Sequence, residues 1–500
     1  MQFINRRQLL GAGVAGLAMS EIPRVSYCNE AAAAQATNTR YDVGSPAGQA
    51  MLLKYERAVA LMNDTSKYPL GDPRSWKFQW YTHWLPPGPS GDYAASSRQK
   101  GAMIATLPTQ FRANAQAMWN TCQSHSLNPA APSDFQEMFF FPWHRWYVYY
   151  FEQVIRTVLG DASFTLPYWN YLSGRLEDLS IPKKFQDKNS PLYRASRNPW
   201  VNAGDRVDQQ SPGSMNLNAL AEPEYIDSPD GSIGLCPQVD TNPHGLLHVF
   251  VGNETNMGDV PTAAGDPIFW LHHCNIDRIW ESWNRNLDHT NPAWPTRNFV
   301  FADGSGQRVD AAVAGADRVG SLGYAYDNYI TAPPTRVVTS SAELRTARSL
   351  GPITVASSSG AVELNSQAIK VSLTTTTPAP TGLAVRTRAL GPGRQLYLTV
   401  TGLMAAINPR VVYNMYLDLP AGANPTDAED EHYLTTIGFF GAVGTGAHSH
   451  RLTVNITDKV RALQVQNRLG AGPNSITLIS RGEPAAGANA MIEQIAIVER

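Results

Sequence analysis

Two histidines, His244 and His248, lie four residues apart in the otherwise apolar segment "HGLLHVFVG". On a helix, side chains at this spacing share one face, so both imidazoles could donate a nitrogen to one metal ion. The spacing alone also suits ordinary core or surface packing. The intervening Leu246 and Leu247 predict a buried segment, however, and burying two imidazoles without partners is costly. The segment therefore favours a metal site.

A second pair of histidines, His272 and His273, is adjacent in "DPIFWLHHCNIDRIW". Neighbouring residues of a helix point about 100° apart, so the two rings should not both face one ion. Phe269, His273 and Asp277 share one helical face at a spacing of four. We therefore expect His273 to be a ligand and Asp277 to be a carboxylate that supports it. His272 is expected to be a packed or hydrogen-bonded neighbour.

The first half of the chain offers further imidazoles in aromatic surroundings. His83 lies in "WYTHWLP", His125 in "CQSHSL" and His144 in "FFFPWHRWYVYYFEQ". Glu152 follows His144 by eight residues and falls near the same helical face. Its carboxylate could orient the His144 imidazole through the second ring nitrogen, or it could only stabilise the helix beside neighbouring arginines.

Three histidines from each half of the domain would form two sites of three nitrogens each. Ligand sets made only of imidazole suit copper or zinc. A zinc hydrolase usually carries a general-base carboxylate in its motif, and the His-x-x-x-His segment here lacks the Glu of the zincin pattern. The abundant aromatic residues would exclude water and give a phenol a surface to stack on. These features favour copper, and a zinc hydrolase stays open as a rival that the copper content of the protein would exclude.

Four segments have helical character, at 48–62, 97–124, 142–159 and 267–287, and the last two carry His144 and His273. Residues 41–330 are rich in Trp, Tyr, Phe and Pro and predict a mainly α domain with long loops. Residues 331–352 have the composition of a linker. Residues 353–500 contain short runs that alternate apolar and polar side chains, which predicts a β-sandwich-like domain.

Length, composition and charge narrow the class of protein. The chain has 500 residues, enough for two or three domains, and 43% hydrophobic against 16% charged residues is typical of a globular protein. The formal net charge of -2 gives no basic excess and argues against a nucleic-acid partner. No segment predicts a stable membrane span.

The beginning of the chain, residues 1–36, has the features of an export signal. Arg6 and Arg7 precede an apolar run too short to cross a bilayer, and small residues suited to cleavage follow at 31–36. This arrangement predicts a twin-arginine signal and a periplasmic or secreted protein. An ordinary basic amphipathic start is the alternative.

Taken together, the motifs resemble a known family. "FFPWHRWYVYYFE" and "DPIFWLHHCNID" are similar to the two signature segments of the tyrosinase, catechol oxidase and haemocyanin family of coupled dinuclear copper proteins, and "HGLLHVFVG" resembles its first two ligands for the second copper. The resemblance implies a four-helix-bundle core that holds two copper ions. It implies a first copper bound by His83, His125 and His144. It implies a second copper bound by His244, His248 and His273.

The middle ligand of the first copper departs from the family pattern. His125 precedes His144 by 19 residues, farther than in other members, and "NPAAPSDFQ" resembles a loop insertion that accounts for the difference. Some members link a cysteine to this histidine by a thioether. Cys122 lies three residues before His125, and either a thioether or a free buried thiol fits its position.

Two residues beside His244 bear on catalysis through the same resemblance. Asp240 stands where plant-type members carry a Glu, and in many relatives an acidic residue there holds a water that deprotonates monophenols. Gly245 follows the ligand at a position where Asn often assists monophenol hydroxylation. Because glycine supplies no side-chain acceptor, hydroxylation activity is left open.

The resemblance continues to the end of the chain. "LGYAYDNY" is similar to the tyrosine motif of plant-type polyphenol oxidases, and "GFFGAVGTGAHSH" to their β-rich C-terminal domain. In relatives that domain can cover the active site as a lid and keep the enzyme latent. His448 and His450 in this segment are then expected to be structural or surface residues and not ligands.

The function implied is an exported type-3 copper polyphenol oxidase, like a bacterial member with a plant-type C-terminal domain. Its partners would be phenolic small molecules and O2. It would hydroxylate monophenols and oxidise o-diphenols to o-quinones. Two alternatives stay open: a catechol oxidase without the hydroxylation step, and a haemocyanin-like oxygen carrier that bars phenols from the site.

Overall fold

The computed structural model describes residues 38–86, 93–122, 138–227, 233–286, 289–331, 351–375, 383, 390, 394–425, 427–444, 450–469 and 474–500. The predicted export signal and both His125 and His448 lie outside these residues. Within them, no helix is long and apolar enough to cross a membrane.

The part of the chain before residue 331 is dominated by helices. They are α1 (Pro46–Met62), α2 (Trp76–His83), α3 (Tyr93–Thr106), α4 (Thr109–Met118), α5 (Phe140–Leu159), α6 (Lys183–Gln186), α7 (Pro199–Ala203), α8 (Leu235–Val239), α9 (Leu246–Val251), α10 (Val260–Ala263) and α11 (Ile268–Asn284). A π-helical segment, Asp240–Gly245, joins α8 to α9. Two short strand pairs complete this part, β1 (Asn38–Arg40) with β4 (Tyr324–Tyr326) and β2 (Asn298–Ala302) with β3 (Arg308–Ala312).

The long helices agree with the sequence prediction except in one place. The single helix expected at 97–124 is two helices, α3 and α4, which meet at Pro108. Proline lacks the N–H that an α-helix needs and disfavours helical geometry in the residue before it, so the chain turns there.

Helices α5 and α11 form the centre of this domain and pack against each other, with α1 on the outer side of α5. All of α11 is buried, as is most of the first three turns of α5. Because each helix presents aromatic and aliphatic side chains on several faces, neither can lie at the surface.

A buried group of charges fastens β1 and β4 to these two helices. The Arg40 guanidinium donates to Glu152 of α5 at 2.9 Å and to Asp277 of α11 at 3.1 Å. Arg145 of α5 also pairs with Asp277. Buried charges require such partners, and here the partners come from three separate elements. The group therefore holds both helices at a fixed mutual position.

The part of the chain after residue 350 is built mainly from strands. They are β5 (Ile353–Ser357), β6 (Val362–Glu363), β7 (Ile369–Ser372), β8 (Thr374–Thr375), β9 (Leu396–Leu403), β10 (Tyr413–Leu417), β11 (Tyr433–Ile437), β12 (His450–Asn455), β13 (Ser475–Ser480), β14 (Met491–Ile492) and β15 (Gln494–Glu499). A helix, α12 (Thr457–Val465), lies between β12 and β13.

These strands form two main antiparallel sheets. One has four strands in the order β11-β10-β13-β7, and the other has five in the order β12-β9-β15-β5-β8. Alternate side chains of both sheets enter one apolar core that includes Leu398, Met415, Leu478 and Ile497. The expected class, a mainly α domain followed by a β-sandwich-like domain, is therefore confirmed.

The sandwich packs directly on the helical domain. Asn408 donates to the Gly258 carbonyl at 2.8 Å, and Ser211 donates to the Asn414 side chain at 2.8 Å within a buried polar group. Val412 and Phe440 of the sandwich belong to the same apolar cluster as the helical core. The two parts therefore share a continuous interior at this point.

Candidate metal centre

Four buried histidines converge between α9 and α11. Each offers a ring nitrogen within 4.8 Å of the others, and together they are called cluster B: His244, His248, His272 and His273. The Nε2 atoms of His244 and His248 are 3.1 Å apart. Nitrogens this close in an apolar interior suit a shared metal ion, which satisfies both at once.

Main-chain carbonyls aim the first two rings of cluster B. The Nδ1 of His244 donates to the carbonyl of Asp240 at 3.0 Å, and the Nδ1 of His248 donates to the carbonyl of Met257 at 2.7 Å. Each bond places the proton on Nδ1, so that Nε2 keeps its lone pair, and turns Nε2 toward the other ring. Fixing the tautomer through the second nitrogen is the usual arrangement of metal-binding histidines.

The adjacent histidines of α11 differ in their surroundings. Neither ring nitrogen of His273 has a hydrogen-bond partner among the described residues, although the side chain is fully buried. His272 shares a hydrogen bond of 3.0 Å between its Nδ1 and the Tyr171 hydroxyl. The expected hydrogen bond of His272 is thus present, but its ring also lies within cluster B. Buried, unpaired nitrogens on His273 are those that a metal ion would satisfy.

A second group of donors, cluster A, lies between α2, α4 and α5. It consists of His83, Cys122 and His144, all buried, with donor atoms within 4.8 Å of one another. The Nδ1 of His144 shares a hydrogen bond of 2.7 Å with the Phe140 carbonyl, and its Nε2 is 3.8 Å from the Cys122 sulfur. The sequence left Cys122 as either a thioether partner of His125 or a free buried thiol, and neither alternative anticipated that its sulfur would lie beside His144.

Local sequence explains why α2 ends with a ligand candidate. Ser75 caps the helix by accepting from the Phe78 N–H at 3.2 Å. His83 is the last helical residue, and Pro86 follows closely and cannot continue the helix. For α11, the Asp266 carboxylate accepts from the Ile268 N–H at 3.1 Å and is held by Arg197 at 2.7 Å. Both helix ends are therefore fixed independently of any metal.

The two clusters adjoin. The rings of His144 and His273 stack with centroids 4.4 Å apart and planes 17° apart. Burial lowers the pKa of His248, His272 and His273 well below the usual value for histidine, and neighbouring imidazoles lower it further. Neutral imidazole is the form that binds metals. The described residues therefore fit a dinuclear centre with nitrogen donors.

Aromatic rings enclose this centre. Phe140 lies 4.7 Å from His244 and Phe269 lies 4.1 Å from His273, measured between ring centroids. Phe440, from the C-terminal sandwich, stacks on His248 at 4.0 Å. No pattern in the sequence marked Phe440, because its position depends on how the two domains pack. These rings exclude water from the nitrogens.

The carboxylates expected to support ligands have other partners. Glu152 accepts from Arg40, from Arg156 at 2.6 Å and from the Leu166 N–H at 2.8 Å. It therefore does not orient His144 in these contacts, and the helix-stabilising alternative is the one observed. The Asp277 carboxylate likewise binds arginines and tyrosines.

The tyrosine motif explains the position of Asp277. The hydroxyls of Tyr324 and Tyr326 donate to its Oδ2 at 2.6 Å and 2.5 Å. Arg40 and Arg145 complete the shell. Asp277 supports His273 only through the helix that both occupy. Its expected role as a direct partner of the imidazole is therefore not seen.

Asp240 and Gly245 both line a cleft between the two domains, beside His244. Leu246, Phe440 and Arg451 also line it. Asp240 reaches the Nδ1 of His244 with its carboxylate Oδ1 at 3.0 Å. A Cβ added at Gly245 would lie 3.1 Å from the Asp240 carbonyl oxygen and 3.7 Å from the Phe440 Cβ. Residue 245 therefore faces the cleft and the C-terminal domain together.

Among the described side chains, His289, His432, Cys236 and Cys274 belong to neither cluster. His289 shares a hydrogen bond of 2.9 Å with the Trp283 carbonyl, and His432 shares one of 2.7 Å with the Leu417 carbonyl. His450 begins β12. Cys236 and Cys274, like Cys122, are buried and form no disulfide, in agreement with the odd number of cysteines that follow the predicted signal.

Comparison with family models gives two matches. The common central domain of tyrosinase matches residues 74–222 and 182–286. A domain of unknown function, DUF7868, matches residues 353–500. The first match contains His83, His144 and all of cluster B.

Curated relatives agree with the first match. The chain is 30% identical over 304 residues to tyrosinase HcTyr1 of Hahella sp. (strain CCB-MM4), a match that covers 54% of this chain and 59% of the relative. It is 30% identical over 222 residues to polyphenol oxidase A1 of Vicia faba, covering 38% and 36%. The chain thus spans less than two thirds of the length of either relative.

Solved structures extend the similarity in fold to both domains. Latent apple tyrosinase matches with a TM-score of 0.56 and 19% identity, over 92% of this chain and 97% of its own. Recombinantly expressed latent aurone synthase matches with a TM-score of 0.58 and 20% identity, over 92% and 88%. At this identity the likeness establishes a shared fold, and function must be argued from the site.

Proposed function

We propose that the chain, whose central part matches the tyrosinase central-domain model, is a type-3 copper polyphenol oxidase that oxidises phenols with O2. The observation that carries this proposal is the contact between two buried groups of donors, with His144 stacked on His273. Such an arrangement suits two adjacent copper ions that act on one small molecule between them.

We assign the ligands that the family resemblance implies. His83, His125 and His144 would hold the first copper. His244, His248 and His273 would hold the second. Bound copper would supply the oxygen chemistry, which is hydroxylation of a monophenol beside its hydroxyl group and oxidation of an o-diphenol to an o-quinone.

The protein's own contribution is orientation and exclusion of water. Main-chain carbonyls fix the tautomers of His144, His244 and His248, so that each presents one nitrogen inward. Phe140 and Phe269 keep the interior apolar. A phenol entering beside Gly245 would meet the aromatic and imidazole faces with its ring and keep its hydroxyl group toward the metals.

Oxidation of o-diphenols alone is the second candidate. The cleft beside His244 has a glycine at residue 245, which offers no side-chain acceptor for a water that could deprotonate a monophenol. An o-diphenol is more readily oxidised and needs less assistance from the protein. A catechol oxidase would therefore fit the same residues.

We also propose that the C-terminal sandwich is an intramolecular lid. Phe440 lies flat against His248 and is 7% exposed, so its ring occupies the side of cluster B on which an aromatic substrate would stack. A protein held in this arrangement would be latent until the sandwich moves or is removed. The apple tyrosinase and the aurone synthase whose structures share this fold are likewise latent forms.

The test is oxygen uptake by the copper-loaded protein with a simple monophenol and, in parallel, with a catechol. Uptake with both supports a tyrosinase, and uptake with catechol alone supports the second candidate. If neither is oxidised, the assay is repeated after proteolytic removal of residues beyond about 340. A protein that binds copper and O2 but stays inactive after removal would be an oxygen carrier.

Export through the twin-arginine pathway is proposed from residues 1–36 alone. Twin-arginine export moves folded proteins, which suits a protein that must acquire copper first. Replacing Arg6 and Arg7 by lysines should retain the protein in the cytoplasm of a bacterial host. Unchanged export of that variant would contradict the proposal.

A further inference from the structure

The carboxylate of Asp240 and the imidazole of His244 are in direct contact. Asp240 Oδ1 lies 3.0 Å from Nδ1, and the carbonyl oxygen of the same residue also lies 3.0 Å from that nitrogen. The His244 side chain is 1% exposed and the Asp240 side chain 17% exposed. One N–H is therefore shared between two oxygens of a single residue, mostly out of water.

This contact is built into the backbone. Asp240 follows α8 and retains helical geometry, with φ -58° and ψ -38°. His244 lies four residues later, beyond a kink at Asn242 (φ -145°, ψ 118°), and this kinked segment places its imidazole against both the side chain and the carbonyl of Asp240. An aspartate has a short side chain, and the carboxylate that borders the cleft is here directed at the His244 ring.

The contact distinguishes His244 from two other rings of the centre. His144 and His248 each share a hydrogen bond with a main-chain carbonyl, at 2.7 Å in both cases. The Nδ1 of His244 contacts a main-chain carbonyl and, in addition, a carboxylate oxygen, both from Asp240. A carboxylate on one nitrogen of an imidazole raises the basicity of the other nitrogen and so strengthens its bond to a metal.

We propose that Asp240 is a positioning residue that acts through His244 to retain the second copper, and that it is not the base that deprotonates the substrate. The inference rests on the proposed copper centre. It assigns the carboxylate to the imidazole and gives the second copper one ligand with a charged partner. The second site should consequently hold copper more tightly than carbonyl-supported imidazoles alone would.

The experiment measures copper retention in the full-length protein and three variants. Asp240→Asn keeps the shape and an acceptor oxygen but removes the charge, and Asp240→Ala removes both. Asp310→Asn is the matched control, because Asp310 is 46% exposed on a strand hairpin and pairs with Arg308. Each copper-loaded protein is titrated with a competing chelator, and the bound copper is counted by atomic absorption.

We expect one of the two copper ions to be lost at lower chelator concentration in both Asp240 variants. Loss of a partner of this kind weakens metal affinity by about 10- to 100-fold, with Asp240→Asn toward the lower end and Asp240→Ala toward the upper end. Asp310→Asn should retain copper as the unchanged protein does. Thermal unfolding of the copper-free proteins checks that the variants are folded.

The outcomes separate this inference from the proposed function. If both Asp240 variants retain copper like the control but lose oxidation of monophenols, Asp240 acts on the substrate and the inference is overturned. If the unchanged protein binds two copper ions but oxidises no phenol even without the C-terminal domain, the proposed function fails. In that case the graded loss of copper would still support the role of Asp240.

Discussion

The ring of Phe440 lies almost parallel to the ring of His248, with centroids 4.0 Å apart and planes 11° apart. The two residues come from different domains, and the contact joins the C-terminal sandwich to a ligand of the proposed second copper. Gly438, two residues earlier, allows the sandwich to approach closely, since a Cβ there would lie 3.3 Å from Val249 of α9.

Phe440→Ala should raise the activity of the full-length protein. Stacked aromatic pairs contribute about 0.5–1.5 kcal/mol beyond area burial, so losing the stacking alone should favour an accessible site by about 2- to 13-fold. The measurement is kcat/KM for a catechol. Phe439→Ala is the matched control, because Phe439 is buried in the core of the sandwich against Tyr413. Equal activation by both variants would mean that loosening the sandwich, and not clearing cluster B, causes the effect.

Gly245→Asn should loosen the same contact from the opposite side. The new side chain would enter the cleft where a Cβ already lies 3.7 Å from the Phe440 Cβ, so the larger group must displace the ring. It would also provide the amide acceptor that glycine lacks. We expect a higher ratio of monophenol to catechol oxidation, measured by oxygen uptake, together with weaker latency. Gly245→Ala adds only a methyl group and should leave the ratio near that of the unchanged protein; an equal rise with alanine would argue against the role of the amide.

Asp277→Asn should destabilise the helical domain, and its effect should come from the buried arginines and tyrosines around residue 277 and not from the histidines of cluster A or cluster B. Asp277 pairs with Arg40 and Arg145 and accepts from two tyrosine hydroxyls. Removing one charge from a buried pair costs about 3–5 kcal/mol, because the remaining arginines lose their partner. The free energy of unfolding of the copper-free protein in urea would measure this. A loss below about 1 kcal/mol, similar to that expected for the exposed control Asp310→Asn, would show that the buried group contributes little.

Lowering the pH should remove the contribution that the ionised Asp277 carboxylate makes to the free energy of unfolding. Burial by itself would raise the pKa of this carboxyl, but Arg145 and Arg40 lower it below the ordinary value. The unfolded chain therefore binds the proton more readily, and the stabilisation is complete above a pH of about 3.9 and lost as the pH falls through the lower pKa of the folded state. The stability difference between the unchanged protein and Asp277→Asn should be constant at neutral pH and shrink below about pH 4. A difference that widens toward acid would contradict this sign.

Local spacing predicted which of the described histidines come together better than it predicted their partners, for physical reasons. His244 and His248 are four residues apart, and helix geometry alone predicts that side chains at this spacing share a face. Helix geometry likewise predicts which face of its helix carries His273. Helix geometry does not predict contacts with side chains that are distant in the sequence. Asp277 was expected against an imidazole, yet Arg40, 237 residues away, is one of its partners. Tertiary packing decides such choices.

The contact between Phe440 and the helical domain was the other feature that could not be predicted from the sequence. A resemblance to latent enzymes implied a lid, but nothing in "GFFGAVGTG" distinguishes Phe440 from Phe439. In the structure Phe439 enters the core of the sandwich, while Phe440 joins the cluster of the helical domain. Strand β11 ends at Ile437, and Phe440 lies in a turn in which the Ala442 N–H donates to the Phe439 carbonyl. Which of the two rings meets the helical domain therefore depends on the docking of the two domains.

Substituting the two adjacent histidines of α11 separately should show which one binds copper. Tyr171 shares a hydrogen bond with Nδ1 of His272, while both nitrogens of His273 have no partner among the described residues. We expect His273→Gln to lose one copper ion and the oxidase activity, because the second site would keep only two of its ligands. His272→Gln should retain both copper ions, since glutamine can still meet the tyrosine hydroxyl.

Tyr171→Phe provides the matched variant for this comparison. It removes the hydroxyl but leaves the His272 ring, and we expect it to retain both copper ions as His272→Gln does. Copper counted by atomic absorption after dialysis gives the answer for all three proteins. Loss of copper from His272→Gln with retention in His273→Gln would reverse the assignment. Loss from both would mean that the second copper draws on all four imidazoles of cluster B.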